Sequence, residues 1–127
     1  IMPRTLRASS VDRAHWTDDD VRPFQDAIQR PGAASGMLGW YRAAIRDGFR
    51  RPFSAPRYPP ITCETTLIWG KGDPALDYDV LVPGTETFAP KLKIVPIEGA
   101  GHFVQSERPA EVNAALVKFL STTTGTS

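Results

Sequence analysis

The sequence predicts an α/β fold in which parallel strands at the edge of a sheet alternate with flanking helices. An apolar run from Thr65 to Trp69 and a second run from Lys91 to Ile97 have strand composition, and the segment between them can hold one short helix. Pro109 then opens a longer helix with an apolar face. Strand, helix, strand and helix in this order are typical of half of a doubly wound parallel sheet.

The first part of the chain predicts helices rather than strands. Thr17 followed by three aspartates marks the beginning of a helix. The Thr17 hydroxyl can accept a hydrogen bond from a free backbone N–H of the first turn, and the three carboxylates lie at the positive end of the helix dipole. Pro23 inside this pattern predicts a kink or a later beginning. Residues 1–16 show no sustained period and are predicted to be a loop. One stripe of a second predicted helix carries Leu38, Tyr41, Ile45 and Phe49.

Proline is unusually frequent in this chain, with 12 in 127 residues. Four of them lie between residues 51 and 60, which predicts an extended connector between two structural units. We therefore divide the chain into a helical unit at 1–50, the connector at 51–60, an α/β unit at 61–121 and a frayed polar tail at 122–127.

Charge and cysteine content exclude several classes of partner. Fifteen Lys and Arg against fourteen Asp and Glu leave a net charge of +1, which provides no electrostatic reason for a nucleic-acid or anionic-membrane partner. No apolar run approaches the ~20 residues of a membrane span, and the N-terminus lacks the apolar core of a signal peptide. Cys63 is the single cysteine, so internal disulfides and cysteine-based metal sites are excluded. We expect a cytoplasmic protein without a metal.

Two polar side chains follow the two predicted strands directly. Asp73 lies in the turn after the first strand, and His102 lies in a glycine-rich turn after the second. Because ligands of open α/β sheets bind at the carboxyl ends of the strands, neighbouring parallel strands would bring both side chains to one edge. An aspartate that orients a histidine fixes its tautomer and stabilises its protonated form. The pair is therefore a candidate for acid–base catalysis.

The two runs Leu67–Leu76 and Ile97–Asn113 resemble the C-terminal end of α/β-hydrolase-fold enzymes, with epoxide hydrolases and haloalkane dehalogenases as the most similar branch. The resemblance implies that Asp73 is the charge-relay acid and His102 the catalytic base. It also implies the C-terminal portion of an α/β-hydrolase fold, with residues 1–50 as part of a helical cap domain. The Gly-Ala-Gly run before His102 would allow the tight turn that presents it.

A further resemblance concerns the predicted second helix. Residues 37–42, Met-Leu-Gly-Trp-Tyr-Arg, are similar to the cap helix of epoxide hydrolases, in which a tyrosine hydrogen-bonds the epoxide oxygen as the ring opens. This similarity implies that role for Tyr41. Trp40 beside it and Phe103 beside His102 are candidates for substrate binding.

The chain shows no nucleophile of the kind that such enzymes require. Upstream of Tyr41 no strand ends in the sharp glycine-flanked turn that carries it. We therefore expect a partner, the N-terminal half of the hydrolase, and a small apolar epoxide as substrate, with no cofactor. An aspartate nucleophile would indicate an epoxide hydrolase or a haloalkane dehalogenase. A serine nucleophile would indicate an esterase or a C–C hydrolase. A non-catalytic fragment is the alternative from another class.

Overall fold

The computed structural model describes residues 2–50 and 59–123, with side chains for 4–46 and 59–122. The elements in chain order are α1 (Met2–Ala8), a 3₁₀ turn (Arg13–His15), α2 (Asp18–Gln29), α3 (Ala33–Arg50), β1 (Thr65–Gly70), α4 (Tyr78–Leu81), a second 3₁₀ turn (Thr85–Thr87), β2 (Leu92–Ile97), α5 (Val104–Glu107) and α6 (Pro109–Thr123). Most of the predicted connector, residues 51–58, and the end of the tail, 124–127, lie outside the described residues. The division into domains stays a prediction.

The two strands pair in parallel, as the sequence predicts. Thr65 lies opposite Leu92, and Gly70 lies opposite Ile97 at the carboxyl end of the ladder. Helices α5 and α6 both contact β1, so helices flank the strand pair. The predicted fold class is confirmed. The residues of β1 before Gly70 are half-buried within the two-stranded sheet that the structure describes, although their apolar composition is typical of a buried strand.

The segment before α2 differs from its prediction as a loop. Residues 2–8 form α1, and Leu6 on that helix is fully buried against Trp16 and Val21. Arg7 donates to the carbonyl oxygen of Trp16 and forms an ion pair of 2.8 Å with Asp18. A helix of seven residues with one buried side chain, Leu6, is too short to show a hydrophobic period. Its stability comes from tertiary contacts, which a sequence pattern does not reveal.

The predicted beginning of α2 agrees with the structure. Thr17 Oγ1 accepts from the backbone N–H of Asp20, and the Asp20 carboxylate accepts from the backbone N–H of Thr17, which together form a capping box. The helix runs from Asp18 through Pro23, so a later beginning caused by that proline is wrong. The cap satisfies free N–H groups at the helix end and fixes its position next to the Leu6 cluster.

The apolar stripes of α3 and α6 are largely open in this chain. Leu38, Tyr41 and Ile45 on α3 are 51%, 63% and 60% exposed. On α6 the predicted apolar face buries Val112, whereas Leu116 is exposed. Within the described part of the chain, the α3 stripe therefore remains largely exposed. Within that part, every helix is too short or too polar to serve as a membrane span.

Substitution of Leu6 tests whether α1 belongs to the core. Leu6→Ala should lower the free energy of unfolding by about 2–5 kcal/mol, because it leaves a cavity at a fully buried position. Leu38→Ala removes the same atoms from a half-exposed position and should change it by less than about 0.5 kcal/mol. Urea unfolding followed by far-UV circular dichroism measures both, and equal losses would contradict the placement of α1.

Candidate active site

Asp73 and His102 form a direct hydrogen bond at the carboxyl edge of the strand pair. The distance from Asp73 Oδ2 to His102 Nδ1 is 2.8 Å. The Asp73 side chain is 5% exposed, whereas the His102 side chain is 35% exposed. The acid is thus enclosed and the imidazole reaches the surface. The structure brings together the two residues that the sequence singles out for acid–base chemistry.

The backbone of its own turn holds the Asp73 carboxylate in place. Oδ1 accepts from the N–H groups of Ala75 and Leu76 at 2.8 and 3.0 Å, which leaves Oδ2 for the imidazole. Burial by itself would raise the pKa of the Asp73 carboxyl, but the hydrogen bonds from His102, Leu76 and Ala75 and the nearby imidazole together lower this pKa below its ordinary value. The carboxylate is therefore ionised at neutral pH.

The ionised acid determines the state of the imidazole. Because a carboxylate only accepts hydrogen bonds, Nδ1 of His102 carries the proton that is shared with Asp73. Nε2 of the neutral ring then has a free lone pair, and no group among the described residues hydrogen-bonds it. This is the arrangement in which a histidine acts as a general base.

Glycines allow the two strand ends to approach each other closely. The ladder continues past the strands, since Gly72 N–H donates to the carbonyl oxygen of Ala100 at 2.8 Å. A Cβ on Gly70 would collide with the carbonyl oxygens of Ala100 and Gly101. Gly99 has φ +65°, a left-handed conformation that favours glycine. The turn predicted before His102 is present, with the left-handed residue two positions before Gly101.

Phe103 joins the site to the helical segment. Its ring meets the imidazole of His102 edge-on at 5.1 Å and the indole of Trp16 at 5.7 Å. It also packs against the cluster formed by Leu6, Trp16 and Val21. The observed contacts of this half-buried ring are packing contacts, and its predicted part in substrate binding stays a prediction.

Trp40 and Tyr41 lie on α3 apart from the recess beside the pair. Their rings are 5.5 Å apart, and Trp40 is 71% exposed. Over the described ranges, no hydrogen bond reaches the Tyr41 hydroxyl and neither side chain lines the recess. The structure therefore does not bring these two residues together with Asp73 and His102 within this chain.

The recess beside the pair is small. It has a volume of about 130 Å³ between the end of β1, Asp73, His102 and Val104. Pockets for small-molecule ligands usually measure about 300–1,000 Å³. In the ranges 2–50 and 59–123, no group of three or more His, Cys, Asp or Glu side chains is placed to hold a metal ion. The recess offers one wall of a site rather than a complete pocket.

Comparison with known proteins agrees with this geometry. The alpha/beta hydrolase family matches residues 2–115 of the chain. The chain belongs to this family. The match includes both strands, Asp73 and His102, together with the helical segment that precedes them.

Several of the relatives that this α/β hydrolase matches are epoxide hydrolases. The chain is 32% identical over 107 residues to the AB hydrolase superfamily protein YfhM of Bacillus subtilis, covering 84% of this chain and 35% of that protein. It is 36% identical over 87 residues to epoxide hydrolase A of Mycobacterium tuberculosis, covering 68% of this chain and 26% of that protein. The crystal structure of the Bacillus megaterium epoxide hydrolase in complex with an inhibitor matches with a TM-score of 0.69 and 25% identity, over 94% of this chain and 40% of that chain. The present chain thus spans 35% of the length of the first of these two curated relatives and 26% of the second.

Sequence reasoning missed two groups that hold the His102 turn. The carbonyl oxygen of Ser9 accepts from the N–H of His102 at 2.8 Å, and the Glu107 carboxylate accepts from the N–H groups of Gly101 and Val11, each at 3.0 Å. Glu107 and Val11 are 96 positions apart. No local pattern signals a contact across that distance.

The contribution of Asp73 to stability should disappear in acid. Because the pKa of this carboxyl is lower in the folded chain than its ordinary value of 3.8, the unfolded chain binds more protons as the pH falls below that value. The stabilisation is therefore complete above pH 3.8 and is lost as the pH falls through the folded pKa. The difference in free energy of unfolding between the wild type and Asp73→Asn should be largest near neutral pH and shrink in acid.

Urea unfolding at a series of pH values measures this difference. Asp77→Asn is the matched control, since Asp77 caps α4 through an exposed side chain and asparagine caps helices equally well. Its difference from the wild type should stay near zero. A difference for Asp73→Asn that does not change with pH would contradict the assignment.

Proposed function

We propose that this chain supplies the acid–base part of an epoxide hydrolase active site. Asp73 is the charge-relay acid, and His102 is the general base that hydrolyses a covalent ester formed on a nucleophile outside this chain. The observation that carries the proposal is the 2.8 Å hydrogen bond from an enclosed carboxylate to a half-exposed imidazole at the edge of two parallel strands. The similarity to epoxide hydrolases supports the choice of substrate.

The proposed reaction has two steps. A carboxylate nucleophile attacks an epoxide carbon, the carbon–oxygen bond breaks, and the ring oxygen takes a proton from a hydrogen-bond donor to give a hydroxyl. Nε2 of His102 then removes a proton from water while the water oxygen attacks the ester carbonyl. The bond between the carbonyl carbon and the ester oxygen breaks, and the departing alkoxide takes the proton from the His102 imidazolium to give the diol. The nucleophile is regenerated as a carboxylate when its own proton returns to the hydrogen-bond donor. Asp73 stabilises the imidazolium that forms transiently.

Tyr41 is the proposed donor to the epoxide oxygen. A phenol that hydrogen-bonds the developing oxyanion stabilises the transition state more than the neutral ring. The hydroxyl of Tyr41 has no partner among the described residues and its side chain is 63% exposed, so it is free to donate to a ligand. Trp40 beside it and Phe103 beside His102 would present ring surface to a small apolar epoxide.

The proposed partner is the N-terminal half of a hydrolase, from the same parent chain or from a separate one. A recess of about 130 Å³ requires another wall to bind substrate. The apolar stripe of α3 is open where a second surface could pack, and the chain spans only 18–35% of the length of the curated relatives that it matches. The nucleophile and the missing wall would come from the same partner.

Replacement of His102 tests the proposed base. The chain is combined with the portion of a relative that it does not cover, and the mixture receives a small epoxide. His102→Gln should permit ring opening but not ester hydrolysis, so a covalent adduct with the mass of the epoxide should accumulate on the partner. Mass spectrometry detects this adduct, and product analysis measures the diol.

The control for this experiment is His15→Gln, which removes the other histidine of the chain and should leave turnover unchanged. Normal turnover by His102→Gln would refute the proposed base. An adduct with esters but not with epoxides would indicate a serine nucleophile and a different reaction of the same fold.

Replacement of Tyr41 tests the proposed donor. Tyr41→Phe keeps the ring and removes the hydroxyl, and loss of one such donor costs on the order of 10²–10³ in rate. We expect a fall in kcat towards that range in the same combined assay, smaller if a second donor is present. Tyr78→Phe, whose ring lies 5.7 Å from the Lys71 ammonium, is the control and should turn over normally. An unchanged kcat for Tyr41→Phe would remove Tyr41 from the reaction.

A further inference from the structure

Glu107 is a buried carboxylate outside the proposed acid–base pair. Its side chain lies at the end of α5 with the residue only 8% exposed, and it has no ion-pair partner among the described residues. It instead accepts two backbone hydrogen bonds, from Gly101 N–H to Oε1 and from Val11 N–H to Oε2, each of 3.0 Å. A buried carboxylate is costly unless such donors satisfy it. The two N–H groups belong to segments that are far apart in the chain.

The two segments meet at His102. Gly101 directly precedes His102, and Val11 lies two residues after Ser9, whose carbonyl oxygen accepts from His102 N–H at 2.8 Å. The Glu107 carboxylate therefore bridges the same two strips of backbone that the Ser9–His102 hydrogen bond joins. The packing there is tight, because a Cβ on Gly101 would collide with the Ser9 carbonyl oxygen.

We propose that Glu107 is a positioning residue for His102. By joining residues 9–11 to residues 101–102, it sets the backbone from which the imidazole projects, and hence the Nδ1–H to Asp73 hydrogen bond. It touches no reacting atom. The inference rests on the proposed function only for its catalytic consequence, since the bridge itself is a property of this chain.

The chemistry of the carboxylate explains why a near-isostere would fail. Glutamine has the same shape but only one accepting oxygen, so its NH₂ group would face one of the two backbone N–H donors. Aspartate keeps two acceptors but is one methylene shorter, so it cannot hold both segments without drawing them together. Both changes should disturb the position of His102, and a merely space-filling role would tolerate both.

Nuclear magnetic resonance of the full chain tests the proposal through the His102 Nδ1–H proton. This proton should give a downfield signal in the wild type and no such signal in Asp73→Asn, because the N–H groups of Ala75 and Leu76 retain the amide oxygen and the NH₂ group then faces Nδ1. Glu107→Gln should weaken or shift the signal and raise hydrogen exchange at the Val11 and Gly101 amides by about tenfold, the scale of one lost hydrogen bond. Glu111→Gln, at an exposed carboxylate on α6, is the matched control and should match the wild type.

Glu107→Asp serves as the second variant in case Glu107→Gln does not fold. It should fold, shift the Nδ1–H signal and raise exchange at one or both bridging amides. A wild-type Nδ1–H signal in either folded variant would overturn the proposal, because the bridge would then be structural without acting on His102. Neither readout uses an epoxide, so failure of the epoxide assay and failure of this inference are separate results.

Discussion

The parallel pairing of β1 with β2 is the constraint on which the rest of this structure depends. Parallel neighbours place their carboxyl ends at one edge, so the turns that follow them meet. Backbone hydrogen bonds extend the ladder beyond the strands, from Lys71 to Ile97 and from Gly72 to Ala100. These backbone hydrogen bonds hold the turn that carries Asp73 against the turn that carries His102. They thereby allow Asp73 Oδ2 and His102 Nδ1 to lie 2.8 Å apart.

Two enclosed carboxylates organise the site, and among the described residues backbone N–H groups, rather than lysine or arginine side chains, hold both in place. Asp73 accepts from Ala75 and Leu76 of its own turn, whereas Glu107 accepts from two distant segments. A lysine or arginine partner would neutralise the charge of the acid. At Asp73, the backbone donors instead stabilise the ionised carboxylate and leave its negative potential directed at the imidazole. This arrangement suits an acid whose proposed task is to stabilise a protonated base.

The helical segment is attached to the site by a polar and an apolar link. The polar link is the bridge through Ser9 and Glu107, and the apolar link is the edge-on contact of Phe103 with Trp16. The stripe of α3, in contrast, is open to solvent. The same segment thus supports His102 at one end and presents an exposed apolar surface at the other.

The sequence by itself determined the two strands, the Thr17 cap of α2 and the two candidate catalytic residues. Each of these depends on neighbours a few positions away: the apolar runs of β1 and β2, the hydroxyl of Thr17 and the turns that hold Asp73 and His102. The resemblance of the two C-terminal runs to α/β hydrolases is also local, and the family match agrees with it.

Tertiary structure alone decided the rest. Helix α1 depends on the burial of Leu6, and the role inferred for Glu107 depends on Val11, 96 positions away. The α3 stripe has the hydrophobic spacing of a packed helix, yet it is exposed. Its burial depends on whether another surface covers it, which the spacing does not determine. A hydrophobic period in the sequence indicates which face of a helix can be buried, and a carboxylate indicates that hydrogen bonds can be accepted. Only the folded chain shows which residue each of these groups contacts. Burial and hydrogen bonding are interactions between two groups, and here the two groups are far apart in the sequence.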